Sequence, residues 1–149
     1  MKTVLALLTL LFSINSQAQN EEAAIKQTIN NLFDGMRRSD TAMIRSAFAP
    51  QGILQTVVNN KEGKVFVRSE PLDSFIAFVG KPHKEVYDEK ITFDLIKVDG
   101  NLAIAWTPYK FFVDEKFSHC GVDSYQLVKR NGEWKIQYLI DTRRKENCD

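Results

Sequence analysis

The stretch from Phe117 to Asp149 constrains the fold most, because it encodes two strands that must pair. Apolar residues alternate on both sides of Asn131-Gly132, and both of these residues tolerate the positive φ of a type I′ turn. A two-residue turn there pairs Arg130 with Glu133 and sets every pair beyond it. Leu127 is expected opposite Ile136, Tyr125 opposite Tyr138, and Asp123 beside Ile140. One face of the hairpin is then aromatic and aliphatic, with His119, Asp123, Thr142 and Arg144 toward its open end. An apolar wall with a polar rim suits a small-molecule pocket. Asp141, Arg143 and Cys120 fall on the opposite expected face, with Gln126 and Gln137. An Asp141–Arg143 ion pair there would order the tail, or the face would serve a dimer.

Residues 1–18 begin with Lys2, continue through the apolar run Val4 to Phe12 and end in Ser16-Gln17-Ala18. This is the pattern of a secretory signal peptide cut after Ala18. The run is shorter than the roughly 20 residues a membrane span needs, so no membrane anchor is expected. Export to the periplasm or the medium follows. Without Lys2 the 20 basic residues fall to 19, equal to the 19 acidic ones. A balanced charge without long basic runs argues against nucleic acid as a partner. The remaining chain, 19–149, has the length of a single domain with a real core. Export permits a disulfide, and two cysteines allow one pairing, Cys120 with Cys148. Such a bond would close a loop of nearly thirty residues; two free thiols are the alternative.

Asn20 can cap a helix whose first turn holds Glu21 and Glu22. Ile25, Ile29, Leu32, Phe33 and Met36 form one apolar stripe at helical spacing. Gly35 weakens that helix, and Ser39-Asp40 opens a shorter one that Pro50 and Gly52 stop. Ile53–Val58 and Lys64–Arg68 read as a strand pair, and Pro71 starts a third helix over Leu72–Val79. Four strands in meander are expected after Lys81. Asp99-Gly100 is a second two-residue turn, placing Leu95 opposite Ile104 and Phe93 opposite Trp106 on one apolar face. Asp94, Ala103, Ala105 and Thr107 fall on the other. Pro108 cannot donate a ladder hydrogen bond and should mark a bulge or an edge. The fold class is α+β, with three N-terminal helices packed on a strongly curved, mostly antiparallel sheet that closes a cone.

With that order of elements, the Phe48-Ala49-Pro50-Gln51-Gly52 entry to the first strand and the Asn131-Gly132-Glu133-Trp134-Lys135-Ile136 strand, the chain resembles the NTF2-like, or SnoaL-like, superfamily. More narrowly it resembles exported bacterial proteins grouped as putative lumazine-binding, through Asp141–Cys148 and His119-Cys120-Gly121-Val122-Asp123. The resemblance implies a pocket between the first and third helices and the concave sheet. Enzymes of the superfamily similar to ketosteroid isomerase carry an acidic base on the first strand. The matching stretch here is Leu54-Gln55-Thr56-Val57, and neither Gln nor Thr takes a carbon-bound proton at neutral pH.

His119 and Asp123 share a strand face about 13 Å apart along a straight strand, too far to exchange a proton directly. Both can anchor one ligand, with His119 as an acid or base. Trp106, Tyr109, Tyr125, Tyr138 and Arg144 complete the expected ligand-binding set. Asp94 is the remaining candidate base if the sheet turns it inward. No pair of Cys or His has zinc spacing, and no phosphate loop or nucleophile elbow is present, so neither metal nor cofactor is expected. Two function classes follow. The first is an exported protein that holds a small, partly apolar or aromatic ligand in the cone without transforming it. The second is a proton-transfer enzyme of the SnoaL-like kind (isomerase, cyclase or dehydratase) using His119, Asp94 or Asp123. A homodimer through the outer sheet face is the candidate protein partnership.

Overall fold

Helix α1 (Lys2–Arg38) buries Ile25, Ile29, Leu32, Phe33 and Met36, the stripe that its sequence spacing requires. The computed structural model describes residues 2–148, with side chains from Gln19 onward. The expected signal peptide, 1–18, lies outside the residues whose side chains are described. Asn20 does not cap α1, because the helix continues through it from Lys2.

Asp40 caps α2 (Thr41–Ala47), its Oδ1 accepting a 2.9 Å bond from the Met43 N–H. Gly35 is needed at this corner, since a Cβ there would meet Ile44 Cγ1 at 2.6 Å. Strand β1 (Phe48–Asn59) starts directly after α2, so Pro50 and Gly52 lie inside a strand rather than before one. An irregularity between Phe48 and Ile53 accommodates them. Strand β2 (Val65–Glu70) returns antiparallel, and α3 (Leu72–Val79) follows Pro71 as the sequence indicates.

Five further strands complete the sheet: β3 (Tyr87–Ile91), β4 (Leu95–Asp99), β5 (Leu102–Val113), β6 (Lys116–Arg130) and β7 (Glu133–Thr142). Their order is β2-β1-β7-β6-β5-β3, with β4 also on β5, and the β1–β7 pair is parallel. The expected four-strand meander is thus five strands, because the first of them breaks at 92–94. That break faces Pro108, which sits within interior strand β5 and not at an edge.

Two registers differ from expectation. The β4–β5 turn is Gly100-Asn101, which pairs Leu95 with Trp106 and Lys97 with Ile104. Leu95, Leu102, Ile104 and Trp106 all lie exposed on the outer sheet face, while Ala103, Ala105 and Thr107 are buried on the inner one. In the last hairpin, Asn131 and Gly132 adopt the positive φ that the turn demands, and Arg130–Glu133 and Leu127–Ile136 pair as expected. A bulge at Gln137 then shifts everything beyond it by one residue. Tyr125 faces Leu139, Gln126 faces Tyr138, and Asp123 faces Asp141. Arg144, not Arg143, bridges Cys120.

The core fills the space between α1 and the inner faces of β5, β6 and β7, with Leu127, Ile136 and Trp134 buried there. The Thr28 hydroxyl donates to the Trp134 carbonyl at 3.1 Å and fixes α1 on β7. Cys120 and Cys148 form a disulfide, tying the tail back to β6.

Candidate functional site

A cavity of about 350 Å³ opens between α1, α3 and the inner sheet face. Its helical side is apolar, with Leu32, Phe33 and Met36 from α1 and Phe75, Phe78 and Val79 from α3. Along one wall runs a line of four rings. Phe78 stacks on Tyr87 at 5.8 Å between centroids, Tyr87 on Phe111 at 6.3 Å, and Phe111 leans on His119 at 4.9 Å. Alternation explains the line: Tyr87, Phe111 and His119 are inward positions of β3, β5 and β6, and Phe111 and His119 are direct cross-strand partners.

The sheet end is acidic. Glu89 of β3, Asp123 of β6 and Asp141 of β7 line the cavity together with Arg143. Asp123 Oδ2 accepts bonds from the Tyr125 hydroxyl at 3.0 Å and the Thr107 hydroxyl at 3.3 Å, and its carboxyl is hydrogen-bonded to that of Glu89. Asp141 Oδ2 accepts from Arg143 Nε at 2.8 Å, while the Tyr109 hydroxyl lies 3.3 Å from that oxygen and 2.9 Å from the Thr142 carbonyl. Arg143 Nη2 donates to Thr56 Oγ1 at 3.4 Å. Asp141 Oδ1 has no hydrogen-bond partner, alone in this among buried side-chain atoms of the described residues.

Burial above all, and then the charges of Asp123 and Asp141, push the Glu89 carboxyl well above its ordinary range. Burial and Asp141 push Asp123 up to about 7, against the hydrogen bonds from Tyr125, Glu89 and Thr107. Both shifts favour the protonated forms of the pair. Burial and the same carboxylates keep the Tyr109 and Tyr125 phenols protonated. Desolvation works against the Arg143 cation, but Asp141, Tyr109 and Glu89 more than offset it. Burial and Arg143 lower His119, leaving it a neutral imidazole.

His119 and Asp123 thus meet at one cavity, as the hairpin pattern implied, with Tyr109 and Tyr125 standing behind the carboxylates as donors. Tyr138, Arg144, Trp106 and Asp94 are not brought there. Tyr138 lies beyond the Gln137 bulge and donates to Gln55 Oε1 at 2.6 Å. Arg144 turns outward and donates to the Asn147 carbonyl, and Trp106 and Asp94 are exposed. Conversely, Asp141 and Arg143, assigned to the outer face from the sequence, both line the cavity, Asp141 buried and Arg143 exposed. Glu89 and Phe111 were not singled out as site residues. The Tyr87-Glu89-Ile91 alternation was the one available signal for Glu89. For Asp141 the signal was the spacing of Trp134, Ile136 and Leu139, which changes parity and so records the bulge. Among the described residues no cluster of His, Cys, Asp and Glu has metal-binding geometry, and no helix is long and apolar enough to cross a membrane.

Three helices on a mixed, mostly antiparallel sheet, enclosing a cavity with ligands' room and a polar end, define an NTF2-like protein. The family model described as putative lumazine-binding matches residues 20–138, and the chain belongs to that family. Solved structures with the same fold include an NTF2-like protein of unknown function from Shewanella baltica, 18% identical, with a TM-score of 0.64 over 85% of this chain and 96% of that one. A protein of unknown function from Mycobacterium tuberculosis is 16% identical, with a TM-score of 0.70 over 90% of this chain and 78% of that one. A conserved protein from Planctomyces limnophilus is 15% identical, with a TM-score of 0.66 over 85% and 98%. No curated protein matches the chain.

Proposed function

We propose that the protein is exported and holds a small, partly apolar or aromatic molecule in the cavity without transforming it. The observation that carries this reading is the line of Phe78, Tyr87, Phe111 and His119 beside a polar end, in a space of about 350 Å³. That volume lies within the range of small-molecule sites, and flat rings are the bodies such a wall stacks best. The family description names lumazine, so pterins and flavins are the first probes, followed by bile acids and steroids. A ligand bound by the folded state alone must raise the melting temperature by mass action. Leu54→Trp, at a half-buried position lining the cavity, should abolish that rise while the unliganded protein still melts cooperatively. A panel that leaves the melting temperature unchanged would sink the reading. The exposed Leu95, Leu102, Ile104 and Trp106 support a homodimer through the outer sheet face.

Two carboxyls raised side by side at the cavity, Glu89 and Asp123, favour a second reading, proton transfer to or from a bound substrate. Under it, Asp123 and Glu89 take the place of the acid missing at Gln55-Thr56. Exchange of a ligand C–H for deuterium, lost in Glu89→Gln, would distinguish it from simple binding.

A further inference from the structure

We propose that the cavity selects ligands whose inner end is a protonated amine, or an equally donor-rich N–H group, seated against the Glu89, Asp123 and Asp141 carboxyl groups. The proposal rests on the binding reading above and adds the chemistry of the ligand's head.

Asp123 and Asp141 are direct partners across β6 and β7, both inward and both buried. Like charges opposite one another in a ladder repel, so this arrangement is destabilising unless something positive or donating joins it. The cavity supplies little of either. Its lining holds four carboxyl groups, from Glu70, Glu89, Asp123 and Asp141, against one guanidinium and no lysine among the described residues. Arg143 has Nε committed to Asp141 Oδ2 and Nη2 to Thr56. The Tyr125 hydroxyl serves Asp123, and Tyr109 lies against Asp141 Oδ2 and Thr142. His119, neutral beside Arg143, brings no charge. The helices α1 and α3 present apolar side chains alone to the cavity.

Asp141 Oδ1 is a buried acceptor with no donor, while Oδ2 of the same carboxyl holds Arg143. A buried acceptor without a donor carries a cost that a small turn of this side chain toward a donor in the cavity would relieve. An ammonium head brings three donors and a positive charge to an end that holds one guanidinium, and its flank would lie against ring faces that attract cations. A carboxylate head would meet three carboxyl groups and one half-committed arginine. A cation arriving beside Asp123 would also stabilise its ionised form, so binding near neutral pH should release protons from the Glu89–Asp123 pair.

Three probes with one body isolate the head group: 2-naphthylethylamine, 2-naphthylethanol and 2-naphthylacetate, titrated calorimetrically into the full chain at pH 7. The amine should bind about tenfold or more tightly than the alcohol, and the acetate most weakly. Repeating the titration in buffers of different ionisation enthalpy should reveal proton release with the amine and none with the alcohol. Asp141→Asn should remove most of the amine's advantage over the alcohol. If that variant fails to fold, the ranking on the native chain decides alone. An alcohol or acetate that binds as tightly as the amine would overturn the proposal while leaving the cavity a binding site. No binding by any of the three would overturn it too, and a silent pterin, flavin and steroid panel besides would take the binding reading with it.

Discussion

Asp123 is held where its burial and its charge oppose each other. Its carboxyl has an ordinary value of 3.8 in the unfolded chain and is pushed up to about 7 in the fold. Between those values the folded state binds more protons than the unfolded one, so stability falls as pH rises. The contribution is complete near pH 4 and lost through pH 7, and Glu89, raised by the same burial, acts in the same direction. Denaturant unfolding followed from pH 5 to 8 should therefore show declining stability, on the order of 2–4 kcal/mol in all. Asp123→Asn should flatten that slope; an unchanged slope would mean the pair is not the cause. Trp134 illustrates the opposite case, a large side chain with every need met. It is buried, and its Nε1 donates to Glu21 Oε2 at 2.7 Å. Trp134→Ala should cost on the order of 3–5 kcal/mol through the cavity left behind, read as a shift of the urea midpoint. A near-neutral effect would contradict the packing described.

The final hairpin shows how far strand pairing can be read from a sequence. Asn131-Gly132 determined the turn and the first pairs correctly, because turn chemistry acts on neighbouring residues. It could not carry the register past Gln137, since one extra residue sends every later side chain to the other face. That slip moved Asp141 and Arg143 inward and Tyr138 and Arg144 outward, which is why half the acidic end went unread. The helix stripe Ile25–Met36 and the span Leu72–Val79 were legible for the same local reason as the turn. Glu89 was not, because its partners stand on β6 and β7, which its own short strand does not encode. The crossing of β6 and the tail gives a direct check. A Cβ on Gly121 would lie 1.8 Å from the Thr142 carbonyl oxygen and 2.7 Å from Tyr109 Cε1. Gly121→Ala should then melt many degrees lower than the native chain, with Asp141 and Arg143 displaced; a mild effect would show the crossing to be loose. Reduction of Cys120–Cys148 should lower the melting temperature by several degrees, since its loop of 28 residues corresponds to roughly 3–4 kcal/mol in the chain-entropy model. Unchanged melting after complete reduction would show that the tail is held by other means.

Taken together, the layers explain why a cavity exists at all. The apolar bulk of this part of β5 points outward as Ile104 and Trp106, and the small Ala103 and Ala105 face the core. Space is left between α1, α3 and the sheet, and β2, β3, β6 and β7 each deliver a carboxyl group to it: Glu70, Glu89, Asp123 and Asp141. If the exposed outer face pairs two copies, Trp106→Lys should shift the protein from dimer to monomer in sedimentation, with the cavity intact. A wild-type chain that sediments as a monomer would remove that partnership. The claim on which the rest depends is that the space holds a ligand. Native mass spectrometry of the protein, taken gently from the cells that make it, tests this most directly. The account requires a small molecule of bound mass that dissociates on denaturation and is lost in Leu54→Trp. A protein that flies at its bare mass in both forms, and that none of the offered compounds stabilises, would contradict it.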